Sequence, residues 1–182
     1  MADLAGGLIS QYHASLAMLK QAIDQCPAND MDHDLWYVGH MTSGHRVPFW
    51  HLAYHTLFYT HLYLMPHLDD FVAWEHHQDE AEHFDRMPPD GRDPKPCRPY
   101  TKEEILSYWQ CVSDLVDSAV GALDLDAETC GFFWYDPMPK LDHQINNIRH
   151  IQHHTAQLAD RLWGAVNQQV DWRGKAKREG LS

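Results

Sequence analysis

Apolar residues recur at helical spacing in four segments of this 182-residue chain, and this recurrence restricts the fold more than any other feature. We predict helices over residues 4–25, 48–66, 101–123 and 140–170. Alternation of apolar and polar residues, which marks strands, never extends beyond a few residues. The pattern therefore predicts an all-α fold, an up-down four-helix bundle.

The predicted helix ends carry sequence signals. Cys26-Pro27 ends the first helix, and Pro48 and Pro66 bound the second. Thr101 is placed to cap the third helix, with Glu104 completing a capping box. Residues 67–99 are rich in proline, glycine and charge, so we predict a long crossover loop between the second and third helices.

Length and composition indicate one domain over residues 1–182, with a core of about 4–170 and a basic tail at 171–182. The net charge of −12 argues against a nucleic-acid partner. No window has 18 apolar residues, and the N-terminus lacks the features of a signal peptide. The four cysteines are widely spaced, which is typical of free thiols. We expect a cytoplasmic protein without a membrane partner.

Two histidine pairs at H-x3-H spacing are the candidate functional residues. His51 and His55 lie in the second predicted helix, and His150 and His154 lie in the fourth. Residues four apart share one face of a helix, so each pair can reach one metal ion. Two such pairs on apolar helices suggest a metal site held between the helices.

The fourth helix allows two interpretations of its histidines. At about 100° per residue, His143, His150 and His154 fall within about 40° of one another, beside Asn147. This line is either a solvated polar face or the wall of a cleft beside the core. His153 lies roughly 60–100° away from the line, so we expect it on the surface.

On the second helix, Leu52, Tyr59 and Leu62 surround His55, so its ring should be largely buried. A buried imidazole needs partners for both nitrogens. Either a metal ion with one acceptor, or a backbone carbonyl or tyrosine, would supply them. His61 points away from this set.

A di-iron carboxylate site is the main competitor in a four-helix bundle. Such sites need two E-x-x-H motifs on core helices and two further glutamates. Only Glu80 to His83 fits that motif, and it lies in the polar loop. There we expect His76, His77 and His83 to be solvated. One metal ion bound by three histidines, with an open coordination position, fits the chain better.

Two segments resemble the DinB/YfiT-like superfamily of four-helix bundle metalloenzymes. Val47-Pro-Phe-Trp-His-Leu-Ala-Tyr-His55 is similar to the start of that family's second helix. Asn147-Ile-Arg-His-Ile-Gln-His-His-Thr-Ala-Gln-Leu158 is similar to its last helix, where a histidine pair precedes glutamine and leucine. This chain has Thr155-Ala156 where the family often has Arg-Gly. The resemblance covers residues 4–170.

The resemblance implies a metal site formed by His55, His150 and His154. It implies one divalent ion, nickel or zinc, a homodimer, and a reaction that uses a low-molecular-weight thiol in some relatives. We add His51, His143 and Asn147 as residues that would orient a ligand or shuttle a proton, and we assign no general base. A site of three imidazoles should lose affinity for its metal below about pH 6.5.

Three functions remain open at this point. The first is a metal-dependent thiol S-transferase or hydrolase acting on a small molecule. The second is a non-catalytic dimeric metal-binding or stress-response module. The third is a metal buffer, suggested by 15 histidines and the acidic charge. The apolar second helix and abundant aromatics, including Trp50, Phe58, Tyr59 and Trp109, favour a dimer interface. The alternative is that residues 67–99 fold over the bundle and cover the apolar surface within one chain.

Overall fold

The computed structural model of the protein describes residues 3–31, 33–42, 45–84 and 97–176. Within these ranges the fold is predominantly helical, which confirms the all-α prediction. The elements in chain order are α1 (Leu4–Gln25), β1 (His40–Thr42), β2 (His45–Val47), α2 (Phe49–Tyr63), α3 (Lys102–Ala122) and α4 (Lys140–Val166). Two single-turn 3₁₀ helices lie at Leu68–Asp70 and Phe133–Tyr135.

The small hairpin of β1 and β2 was not predicted. Its strands are antiparallel and three residues each, with His40 opposite Val47. Strands of that length are too short to show a period of two residues in the sequence.

The four helices share one hydrophobic core. Both α1 and α2 pack against α3 and against α4. Nearly every residue of α2 is buried, and only His55, Tyr59 and His61 are partly exposed. An all-round apolar helix must be covered on all sides, so α2 lies in the interior as its sequence indicates. The up-down order and the crossover stay predictions, since residues 85–96 lie outside the described ranges.

Helix ends follow their capping residues. The Asp3 carboxylate accepts the Gly6 N–H at 2.8 Å at the start of α1. At the start of α3, Thr101 Oγ1 accepts from the Glu104 N–H at 3.2 Å, as the capping box predicts. Helix α4 ends at Val166 rather than Val170, because Asn167 adopts the left-handed conformation with φ 53°.

Buried hydrogen bonds fix the rotation of α4 about its own axis. Tyr12 Oη donates to Gln144 Oε1 at 2.7 Å, which joins α4 to α1. Gln144 Nε2 donates to the Tyr63 carbonyl at 2.9 Å, and Asn147 Nδ2 donates to the Thr60 carbonyl at 3.2 Å, which joins α4 to α2. A rotated helix would leave these polar groups buried and unpaired, at ~1–3 kcal/mol each.

The start of α4 is anchored by a buried lysine. Lys140 Nζ donates to the Pro66 carbonyl at 2.6 Å and to the Cys130 carbonyl, so it ties α4 to the end of α2. Burial lowers the pKa of this amine.

None of the helices in the described part of the chain is both long and apolar enough to cross a membrane.

Candidate metal site

Helices α2 and α4 bring three histidine side chains together. His55 comes from α2, and His150 and His154 come from successive turns of α4. One nitrogen of each ring lies within 4.8 Å of the others, and the Nε2 atoms of His55 and His150 are 3.3 Å apart. Two nitrogens on one tetrahedral zinc ion would be roughly 3.4 Å apart. The His55–His150 pair therefore matches two ligands of one ion, and the three rings of this histidine cluster lie close enough together that they could hold a shared metal ion.

A backbone carbonyl orients the His55 ring. His55 Nδ1 lies 2.6 Å from the carbonyl oxygen of Glu82. A carbonyl only accepts hydrogen bonds, so Nδ1 carries the proton and Nε2 keeps its lone pair. Phe84 stacks on the ring with centroids 4.0 Å apart and covers one of its faces. The lone pair of Nε2 is thus held towards His150.

A glutamine one turn later on the same helix orients His154. His154 Nδ1 lies 2.8 Å from Gln157 Oε1, and Gln157 Nε2 lies 3.3 Å from Nε2 of the exposed His153. The amide oxygen accepts the Nδ1 proton, which leaves the Nε2 lone pair of His154 free to bind. An outer hydrogen bond of this kind is the usual support of a metal-ligating histidine.

His150 is held differently. Its ring lies perpendicular to that of His154, at 87°, with centroids 4.5 Å apart. Its Nδ1 atom is buried and has no hydrogen-bond partner among the described residues. Among the described residues its hydrogen-bond contact is with the ring of His55, whose Nε2 lies 3.3 Å from His150 Nε2, so His150 lacks the outer acceptor that the other two rings have.

Burial keeps the histidine cluster neutral. It lowers the pKa of His55 well below its ordinary value, and it lowers the pKa of His150 to about 3 and of His154 to about 4. The neighbouring imidazoles lower the His55 pKa further. Neutral imidazole is the form that binds metals. In the folded protein, protons should therefore compete with a metal only well below pH 6.5. The pH at which metal affinity begins to fall should be lower than the value of about 6.5 predicted from a free imidazole.

The histidine cluster borders a cavity of about 650 Å³, with His55 and His150 in its wall. Glu82 and His83 complete the polar end of this cavity. The remaining lining residues are aromatic or aliphatic: Phe58, Tyr59, Leu62, Tyr63, Leu68, Phe71, Trp134 and Tyr135. A cavity of this volume accepts a small organic molecule, and it gives that molecule access to the histidines.

Of the residues that we expected to support the site, His51 lies near it. Its ring is buried, stacks on Trp50 with centroids 4.9 Å apart, and contacts Phe84, the ring that covers His55, with centroids 5.8 Å apart. It is not one of the three converging histidines. His143 packs among aromatic rings two helical turns before His150, and the Asn147 side chain donates to the Thr60 carbonyl of α2. The groups that orient the cluster are instead the Glu82 carbonyl and Gln157.

The acidic segment after α2 also differs from the expectation. His77 is not solvated, because the Tyr54 hydroxyl lies 2.6 Å from its Nδ1 atom and Phe58 packs against its ring. The side chains of His76 and His83 are about half exposed, at 54% and 53%. The segment therefore folds back onto α2, and this contact carries Glu82 to the histidine cluster.

Comparison with protein-family models, with curated proteins and with solved structures gave no match. Membership of the DinB/YfiT-like superfamily therefore stays a prediction carried by the two segments quoted above. What the residues themselves support is a three-histidine group that could hold a metal ion.

Proposed function

We propose that the protein is a metal-dependent enzyme of the DinB/YfiT-like superfamily, in which His55, His150 and His154 hold one nickel or zinc ion. The observation that carries the proposal is the convergence of three neutral imidazoles, two of which, His55 and His150, line a cavity. The ion would supply Lewis acidity, the chemistry that generates a nucleophile from water or a thiol at neutral pH. Hydrolysis and thiol S-transfer both use this chemistry.

The side chains around the site have separate tasks in this proposal. The Glu82 carbonyl and Gln157 hold two of the imidazoles in the protonation state that binds metal. The aromatic wall binds the substrate and excludes water from its reacting end. The position of the cavity favours catalysis over a structural role, because a purely structural site is closed by protein ligands.

The experiment begins with metal analysis of protein purified without an affinity tag. Zinc or nickel near one ion per chain is expected in the wild type and in His153→Ala, whose ring is exposed. His154→Ala should lose the metal while keeping its helical circular dichroism. Full metal occupancy in His154→Ala would refute the assignment.

Activity is then screened with reconstituted protein against activated esters and against thiols with electrophilic acceptors. Any activity found should vanish with a chelator and return with the metal, and His154→Ala should lack it. A metal-loaded protein that turns over neither substrate class would favour the non-catalytic alternative.

We also propose a homodimer. The apolar residues of α2, from which the sequence predicted the dimer, do not form the exposed surface. The aromatic residues of α2 are covered within the chain, and Trp109 is partly buried with its indole donating to the Leu16 carbonyl at 2.8 Å. Large exposed apolar side chains lie instead at Phe133 (74% exposed) and Trp163 (59% exposed). A contiguous patch of such residues would form an association surface. Sedimentation at micromolar concentration should show a dimer, and a single species near 21.1 kDa would refute it.

A further inference from the structure

The lining of the 650 Å³ cavity is divided into two parts of different chemistry. The body is formed by α2 and by the segments that fold over it, which contribute Phe58, Leu62, Phe71 and Trp134 among others. The other part is polar and contains His55, His150, Glu82 and His83. A ligand that fills the cavity must therefore have an apolar body and a polar end.

No lysine or arginine occurs among the described residues that line the cavity. The phenolic oxygens of Tyr63 and Tyr135 lie 3.5 Å apart and face each other. A body with several hydroxyl or charged groups would lose its water here and gain few hydrogen bonds in return. The described part of the wall therefore disfavours sugar-like and multiply anionic ligands.

The described residues of the polar end favour a ligand with a single charged group. Glu82 Oε2 is buried without a hydrogen-bond partner among the described residues, and its backbone carbonyl holds His55. A second anionic group near this carboxylate would be repelled. Three neutral imidazoles with a divalent ion would accept one anionic or neutral metal-binding group.

We propose, on the basis of the metal-dependent function above, that the substrate is a small molecule with an uncharged, ring-containing body and a single metal-binding group at one end. The body lies between the aromatic walls of the cavity, and the metal-binding group faces the histidine cluster. Sugar-based thiols do not fit this cavity as its main occupant.

The apolar body can be tested without any metal. We expect 2-naphthol to bind metal-free protein in isothermal titration calorimetry, because it has the ring and lacks a strong metal-binding group. Trp134→Ala removes one aromatic wall and should weaken this binding about tenfold. Trp163→Ala is the matched control, since Trp163 is exposed on α4 and does not line this cavity. It should stay within about twofold of wild type.

The polar end is tested with zinc-loaded protein and three hydroxamates that share one metal-binding group. 2-Naphthohydroxamate should bind on the order of 100-fold tighter than acetohydroxamate, because only the former buries a ring. Gluconohydroxamate is larger than acetohydroxamate but polar, so it should bind no more tightly than acetohydroxamate.

The outcomes separate this inference from the function on which it rests. No binding of 2-naphthol, or equal binding by the two tryptophan variants, overturns the apolar body. Gluconohydroxamate binding as tightly as 2-naphthohydroxamate overturns it as well. If the wild-type protein binds 2-naphthol but cannot be loaded with zinc or nickel, the metal-dependent function and the metal-binding end are refuted, and the apolar body is supported.

Discussion

Two buried histidine environments lie on α4, and they differ in what surrounds the nitrogens. In the histidine cluster, three rings converge, and hydrogen bonds to Glu82 and Gln157 hold two of them. Two turns before His150, the ring of His143 is fully buried among Tyr63, Phe132 and Tyr135. Neither of its nitrogens has a hydrogen-bond partner among the described residues.

Burial acts on both environments in the same direction. It lowers the pKa of His143 to about 4, as it lowers the pKa of His154 to about 4. Neutral imidazole at physiological pH is therefore common to both. What distinguishes a candidate ligand from a core residue here is the convergence of ring nitrogens from three side chains. A lowered pKa alone does not identify the site.

The largest expected difference is in metal affinity. His150→Ala removes one of the three proposed ligands and should weaken zinc binding by more than about 100-fold, since even outer hydrogen-bond partners contribute about 10–100-fold. His143→Leu should keep the wild-type affinity, because that ring does not face the cluster. Competition titration with a zinc chelator measures both. A large loss in His143→Leu would erase the distinction between the two environments.

Gln157 tests how much the outer hydrogen bond contributes. Gln157→Ala leaves His154 Nδ1 without its acceptor, so the affinity for zinc should fall about 10–100-fold. Gln152→Ala is the control, because Gln152 lies on α4 and its amide contacts Met18 Sδ at 3.7 Å. Equal affinity of the two variants would show that Gln157 does not support the site.

The pH dependence of stability tests the His143 environment. Its pKa is about 4 in the folded protein against an ordinary value of 6.5, so its stabilisation is complete above pH 6.5 and is lost as the pH falls towards 4. His143→Leu lacks this titration. Between pH 7.5 and pH 5, wild type should lose up to about 2 kcal/mol more stability than the variant. Parallel curves from urea unfolding of the metal-free proteins would contradict the assigned cause.

The smallest expected effect is on stability at neutral pH. His143→Leu removes two unpaired polar nitrogens and keeps a similar volume, so the free energy of unfolding should rise by about 1 kcal/mol. His61→Leu makes the same change where Nδ1 lies 3.2 Å from the Tyr108 hydroxyl. It should be destabilising, by about 1 kcal/mol. Destabilisation by both changes would show that the His143 nitrogens have partners.

Helical periodicity predicts much of this arrangement because it is a local property. The bounds of α1 were predicted to the residue, and the capping box at Thr101 is confirmed. The shared face of His150 and His154 also follows from their spacing. Gln157 carried a detectable signal, since a residue three positions after His154 lies on the same face of a helix.

The contacts made by the irregular segment after α2 could not be predicted in this way. Glu82 orients His55 through a backbone carbonyl, which every residue type possesses. Phe84 contacts the same ring because residues 71–84 fold back onto α2. Phe84 lies 29 positions after His55 in the sequence. Neither contact follows a fixed spacing. The acidic composition of this segment therefore predicted that its histidines are solvated, whereas His77 is largely buried.

Anomalous diffraction at the zinc absorption edge, from crystals of zinc-loaded protein, tests the central claim most directly. We predict one strong peak per chain, bound by one ring nitrogen each of His55, His150 and His154 at about 2.0–2.1 Å. A peak bound by His51 or His153, a peak at the His143 ring, or no peak between α2 and α4 would contradict the account.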